Sequence, residues 1–193
     1  MHYITPKDCI ETLKVDSIED IKISMLWQIA EQERPFAKNY YNEDSRRSPA
    51  KQETCVVNGK FGELVTMISL AKSGCKIVSG VLFSDNDGEL PYGDGGIDLI
   101  VSKDGVDYKI QVKYCEGNNL NFYEKRQEDA IRDNFKNNVI VLICHSCWKN
   151  GHKRHILRRL NKKFFEANIK PSPYSYSYSY ILTYNIPEFD YIF

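Results

Sequence analysis

Apolar side chains recur at helical spacing between Asp16 and Glu33, with Ile18, Ile21, Met25 and Ile29 on one stripe. Asp16 or Ser17 can cap such a helix, and Pro35 ends it. Pro6 to Leu13 reads as a shorter helix before it. The pair reads as a packing helical cap, because nothing specific supports a helix-turn-helix. Residues 38–60, with NED, RRSP and NGK, read as loop or linker. The run FGELVTMISLAK predicts a largely buried helix over 61–72, stopped by Gly74. KIVSGVLF predicts a strand, followed by the loop SDNDGELPYGDGG. GIDLIV and VDYKIQVKY read as two strands, 122–136 as a polar helix and NNVIVLICH as a β-branched strand. Residues 153–168 read as a basic helix, and SPYSYSYSYILTYN as a period-two strand. The order predicts an α/β fold with a mixed central sheet flanked by helices. It divides the chain into an N-terminal helical extension and linker, 1–58, and a main domain, 59–193.

The two middle strands meet at Asp104-Gly105, a favoured pair for a two-residue hairpin loop. That loop makes Lys103 face Val106 and Asp98 face Gln111. One face then holds Ile97, Leu99, Val101, Val106, Tyr108, Ile110, Val112 and Tyr114, all apolar or aromatic. The other holds Gly96, Asp98, Ile100, Ser102, Asp107, Lys109, Gln111 and Lys113. A slip by one residue would bury the charges, so the pattern pins the register. Asp98, Gln111 and Lys113 gather at the open end. Gly93, Gly95 and Gly96 stand just before Asp98, where backbone turns tightly or lets a ligand approach. Glu63 sits beside Gly62 in an apolar helix, where a solvated carboxylate is not expected. Two carboxylates and an amide oxygen are hard donors suited to Mg²⁺ or Mn²⁺.

The chain has 193 residues, 42% of them apolar and 27% charged, which is ordinary globular composition. That suits one domain with room for an appendage and argues against disorder, collagen and a membrane protein. The first residues hold no continuous apolar run, so no secretory leader is expected and a reducing, cytoplasmic setting is. The net charge is zero but uneven: residues 61–121 carry 5 basic and 9 acidic side chains, residues 122–170 carry 12 and 5. An acidic centre beside a basic surface is what a metal site next to a polyanion would need. The basic run is Lys149, Lys153, Arg154, Arg158, Arg159, Lys162 and Lys163, without an acid from 149 to 165. Helical spacing would place Arg154, Arg158 and Lys162 on one phosphate-binding stripe.

Weaker candidates remain. Cys144, Cys147, His152 and His155 form a conceivable zinc set, but the loop between the pairs is shorter than in zinc fingers. Cys144 therefore reads as the end of a buried strand. Asp85, Asp87 and Glu89 resemble part of a calcium loop, but Leu90 stands where glycine is needed. Tyr174, Tyr176, Tyr178 and Tyr180 share one strand face and read as packing surface rather than as base-stacking groups.

Glu63 in a helix, Asp98 at a strand start and Gln111-Val112-Lys113 on the next strand resemble the PD-(D/E)XK nuclease superfamily. The run GKFGELVTMISLAKSG with GDGGIDLIVSKDGVDYKIQVKY is most similar to its QxK branch, which includes group I intron homing endonucleases. The likeness covers roughly residues 59–115. It implies a restriction-endonuclease-like fold and a metal-dependent DNA endonuclease. Asp98 would be the main metal ligand, with Gln111, the Val112 carbonyl and Glu63 completing the set. Lys113 would position water or offset developing charge. No proline directly precedes Asp98, and Gln111 carries one charge fewer than the commoner Glu. A homing or restriction enzyme working as a homodimer or higher oligomer is expected. A structure-selective nuclease and a catalytically silent nucleic-acid-binding module stay open beside it.

Overall fold

The computed structural model describes residues 2–40, 48–84, 96–149, 151–173 and 178–186. The chain opens with β1 (His2–Ile4) and α1 (Pro6–Leu13), the latter as the sequence predicts. Thr5 and Asp8 close a reciprocal capping box over α1: the Thr5 N–H donates to Asp8 Oδ2 at 2.8 Å, and the Asp8 N–H to Thr5 Oγ1 at 3.4 Å.

The single helix expected over 17–33 is broken. Short 3-10 turns at Ile18–Asp20 and Ile23–Met25 lead into α2 (Leu26–Ala30), and another 3-10 segment, Glu31–Tyr40, contains Pro35. Ser17 donates its hydroxyl to Asp20 rather than capping backbone. Ile21 is extended and buried, and branched isoleucines at 18, 21 and 23 give little helical drive. Lys72 donates to the Glu19 and Ile21 carbonyls at 3.1 and 3.0 Å, satisfying backbone groups that a helix would have used.

The expected linker over 38–60 is corrected in its second half by α3 (Pro49–Lys72), which begins after Ser48. Proline at the first helical position needs no backbone donor and starts the helix readily. Gly59 has open space around it and costs only ~1 kcal/mol of helix propensity. The division at 58/59 therefore falls inside α3. Leu64, Val65, Met67 and Leu70 of this helix share one core with Cys9, Leu26, Ile29 and Ala30.

KIVSGVLF forms two strands, β2 (Lys76–Ser79) and β3 (Val81–Phe83), in different sheets. They part at Gly80, where a Cβ would lie 2.1 Å from the Ile4 carbonyl oxygen, so β1 can cross and pair with β3. The order continues with β4 (Leu99–Lys103), β5 (Val106–Glu116), β6 (Asn119–Phe122), α4 (Lys125–Lys136) and β7 (Ile140–Lys149). Next come β8 (His152–Leu160), α5 (Lys162–Asn168), β9 (Lys170–Pro171) and β10 (Ser179–Leu182).

The central sheet has the order β2-β4-β5-β7-β8, with β5 and β7 parallel and the other pairs antiparallel. The fold is thus mixed α/β around a five-stranded mixed sheet. One face carries α3 and the N-terminal elements over Leu99, Val101, Ile110, Val112, Leu142 and Cys144. The other buries Val141, Ile143 and Leu160 with Ile131 of α4 and Phe165 of α5. A small sheet, β6-β10-β9, closes that second side. Among the described residues no helix is long and apolar enough to cross a membrane.

The largest correction falls on the basic segment. Residues 152–160 form strand β8 rather than a helix, paired antiparallel with β7 from Lys149↔His152 to Val141↔Leu160. Of the expected stripe only Lys162 is helical, and it starts α5 together with Lys163 of the same basic run.

Candidate metal and phosphodiester site

The hairpin register is the one the sequence specifies, running from Lys103↔Val106 to Leu99↔Ile110. At Asp98 side chain takes over from ladder. The Asp98 N–H donates to the Ile110 carbonyl at 2.8 Å, and the Val112 N–H donates to Asp98 Oδ2 at 2.6 Å. Asp98 thus grips the residues on either side of Gln111. One carboxylate oxygen is fixed by a backbone donor, a geometry that holds the group without needing core contacts.

Gln111 is buried and meets α4: Asn134 Nδ2 donates to its Oε1 at 2.6 Å. Gly96 lies against the same amide. With φ +74° it occupies the left-handed region, and a Cβ there would come within 2.6 Å of Gln111 Nε2. This glycine is required by the Gln111 side chain. Gly93 and Gly95, with Asp85, Asp87 and Glu89, lie outside the described residues.

Glu63 reaches the site from α3. Its side chain is 13% exposed, and Lys60 one turn earlier donates to Glu63 Oε2 at 2.8 Å. Burial pushes the Glu63 carboxyl up to about 7; Lys60 pulls against this, the Asp98 charge adds to it, and Lys113 also opposes it. Helix α3, the residue just before β4 and strand β5 therefore bring charged groups into each other's field. The close packing has a visible cause in Gly62, whose Cβ would be 2.9 Å from the Tyr114 Cβ. Only glycine lets α3 lie this near β5.

Glu63 and Asp98 are both hard oxygen donors, and burial is the main reason the Glu63 carboxyl holds its proton above the ordinary carboxylate range. Gln111 Oε1 is committed to Asn134 and has one lone pair left. Among the described residues no group of three or more His, Cys, Asp and Glu is placed to hold a metal. An ion here would draw its remaining ligands from amide or carbonyl oxygens and water.

Sequence reasoning missed Lys60 and Asn134. Lys60 had a signal, since a lysine three residues before a carboxylate in an apolar helix can pair with it. Asn134 had none. Glu33 was also unforeseen: fully buried, it accepts the Ser84 N–H with both oxygens, at 2.9 and 3.1 Å.

The basic residues separate by strand geometry. Arg158, paired with Ile143 and so level with Lys113, is buried. It donates to the Ile186 carbonyl and, at 3.4 Å, to His145 Nδ1. Lys153 bonds Glu116 at 2.7 Å, whereas Arg154 is exposed. Arg159 is half-buried beside Asn161 and Lys162 in a cleft that Asp107 and Asn138 also line, and Lys162 and Lys163 are exposed. Cys144 and Cys147 are three apart on one strand and face opposite sides of the sheet, so they do not form a zinc set with the two histidines. A scan against protein-family models and a search of curated proteins found no match.

Proposed function

We propose that this chain is a metal-dependent nuclease that hydrolyses phosphodiester bonds in DNA, along the lines of the QxK nucleases its motif resembles. The observation that carries the reading is the convergence of Glu63, Asp98 and Lys113 from three parts of the chain, with the Asp98 carboxylate anchored by the Val112 N–H. Glu63 and Asp98 would hold Mg²⁺ or Mn²⁺, which when bound polarises a phosphoryl oxygen and acidifies water. Lys60 orients the Glu63 carboxylate. Lys113 offers an ammonium to the charge that builds on the phosphorus oxygens. Asn134 fixes Gln111 so that its remaining lone pair has one direction. The exposed Arg154, Lys162 and Lys163 supply phosphate contacts that the acidic centre cannot. Cutting both strands requires two centres, so the working form is a homodimer or higher oligomer.

A second reading rests on the Lys60–Glu63 bond. A buried carboxylate already neutralised by its own lysine also suits a nucleic-acid-binding module without catalysis. One experiment separates the two. Supercoiled plasmid is incubated with the purified chain in Mg²⁺ or Mn²⁺, beside Asp98→Asn and Lys113→Ala. Nicking by the natural chain, lost in Asp98→Asn and slowed ~10²–10³-fold in Lys113→Ala, supports the nuclease. Binding with no nicking in either metal overturns it in favour of the silent module. A branched substrate cut faster than plain duplex would identify the structure-selective form.

A further inference from the structure

Helix α4 is polar along most of its length, and among its residues Ile131 and Asn134 are the buried ones. They stand three apart and share the face turned to the second core. An apolar residue at 134 would continue the surface that Ile131 begins. Asparagine is a poor helix former, and a buried amide costs free energy unless another group pairs with it. The partner is Gln111, itself buried, whose Oε1 accepts from Asn134 Nδ2 at 2.6 Å. The Asn134 backbone is tied as well: its carbonyl accepts the Val139 N–H at 2.9 Å, in the turn that leads into β7. Strand β7 runs beside β5 with Val141 opposite Gln111, so this one residue links α4, the entry to β7 and the middle of β5.

The amide pair reaches the approach to Asp98. A Cβ on Gly96 would lie 2.6 Å from Gln111 Nε2 and 3.4 Å from Asn134 Nδ2, so both side chains close on the backbone two residues before the carboxylate. At Asp98 itself, the bonds to Ile110 and Val112 fasten the chain on either side of Gln111. Residues 96–98 are therefore held at one end by bonds to the β5 main chain and at the other by two packed amides. Gln111 alone would not hold that end in one arrangement, because an amide can turn over and exchange its oxygen for its nitrogen. Pairing with Asn134 restricts this, since two amides bond only with oxygen against nitrogen. We propose that Asn134 is a positioning residue of the metal site: through the Gln111 amide it sets the approach to Asp98, and with it the affinity for the divalent cation. This deepens the nuclease reading and rests on it for the presence of the ion. Groups that orient a metal's ligands from behind are commonly worth ~10–100-fold in affinity.

Two changes of similar shape, alone and together, test this in the full-length chain: Asn134→Leu and Gln111→Met. Mn²⁺ affinity is measured by calorimetric titration without DNA, and stability by urea denaturation. Each single change leaves one buried amide unpaired, so each should lower the urea midpoint. The double variant should regain most of that loss, because an apolar pair has no hydrogen bond to satisfy. Affinity should behave otherwise: Asn134→Leu should weaken Mn²⁺ binding ~10-fold or more, and the double variant should stay as weak. The double variant also keeps the affinity readable should a single change unfold the chain. If Asn134→Leu binds Mn²⁺ as the natural chain does, or if affinity returns with stability in the double variant, Asn134 only fills the core and the proposal is overturned. The two readings fail separately. Mn²⁺ uptake that depends on Asn134 without plasmid nicking sinks the nuclease and spares the positioning role, whereas nicking with an affinity indifferent to Asn134 does the reverse. A natural chain that takes up no Mn²⁺ overturns both.

Discussion

Replacing Glu63 with Gln should change the pH dependence of stability more than stability itself. In the folded chain burial raises the carboxyl from an ordinary 4.5 to about 7, a value that already includes the opposing pull of Lys60 and Lys113. Between those two values the native chain keeps a proton that the unfolded chain gives up. Stability must therefore fall as pH rises through that window, and it stays low above it. The full drop is about 3 kcal/mol, a large share of the ~5–15 kcal/mol that holds a domain together. Glu63→Gln removes the ionisation while keeping a hydrogen-bond acceptor for Lys60. At pH 5 the two proteins should differ by only about 1 kcal/mol. At pH 8 the variant should be the more stable by up to about 3 kcal/mol. Urea denaturation at pH 5, 6, 7 and 8 measures the gap, and groups common to both proteins cancel. Saturating Mg²⁺ should narrow it at pH 8 by stabilising only the natural chain, by ~2.7 kcal/mol at one hundred times Kd. A gap that does not grow with pH would mean that Glu63 ionises like a surface carboxylate, and that its burial against α3 and β5 is not felt by its charge.

Two substitutions at Asp98 should divide structure from chemistry: Asp98→Ala orphans the Val112 N–H and costs about 1–3 kcal/mol, while Asp98→Asn keeps an acceptor and near-normal stability, with plasmid nicking lost in both. Arg158→Ala should destabilise by about 2–3 kcal/mol because its guanidinium donates to Ile186 and His145 in a buried position, whereas Arg154→Ala should leave the melting curve unmoved. Gly80→Ala should loosen the pairing of β1 with β3 and cost about 1–3 kcal/mol, since its Cβ would meet the Ile4 carbonyl; an unchanged melting temperature would show that β1 contributes nothing to the fold.

The site was legible where chemistry and periodicity agree. Asp104-Gly105 sets the hairpin and the alternation sets the faces, and the ladder follows that register as far as Leu99↔Ile110, beyond which Asp98 bonds Ile110 and Val112 on either side of Gln111. Glu63 was legible as a misfit, a carboxylate among apolar residues. What stayed hidden depends on contacts between segments far apart in the chain. Asn134 meets Gln111 across 23 positions, and Glu33 meets Ser84 across 51. No local pattern encodes such partners. Gly80 reads locally as a weak point in one strand, and only the crossing of β1 shows why it ends one strand and begins another. The break at 18–25 is of the same kind, because the stripe is apolar enough for a helix but Ile21 is buried from an extended backbone.

The basic segment shows how a misread period changes the chemistry assigned to a residue. Asn150-Gly151 stands between NNVIVLICHSCWK and HKRHILRRL, the same kind of two-residue hairpin signal as Asp104-Gly105, and β7 and β8 meet across it at Lys149↔His152. Counted at helical spacing, Arg154, Arg158 and Lys162 are three equal cations on one stripe. Counted at strand spacing, with β7 alongside, Arg154 and Arg158 still share a face, but that face passes from open surface to core between them. Arg158 enters the second core and serves the fold, while Arg154 stays exposed. Charge composition does not register this difference, because it counts both residues alike. The salt dependence of nucleic-acid binding does, since a buried guanidinium already bonded to a carbonyl releases no counterion from DNA. The positive surface available to phosphate is therefore smaller than the sequence charge suggests.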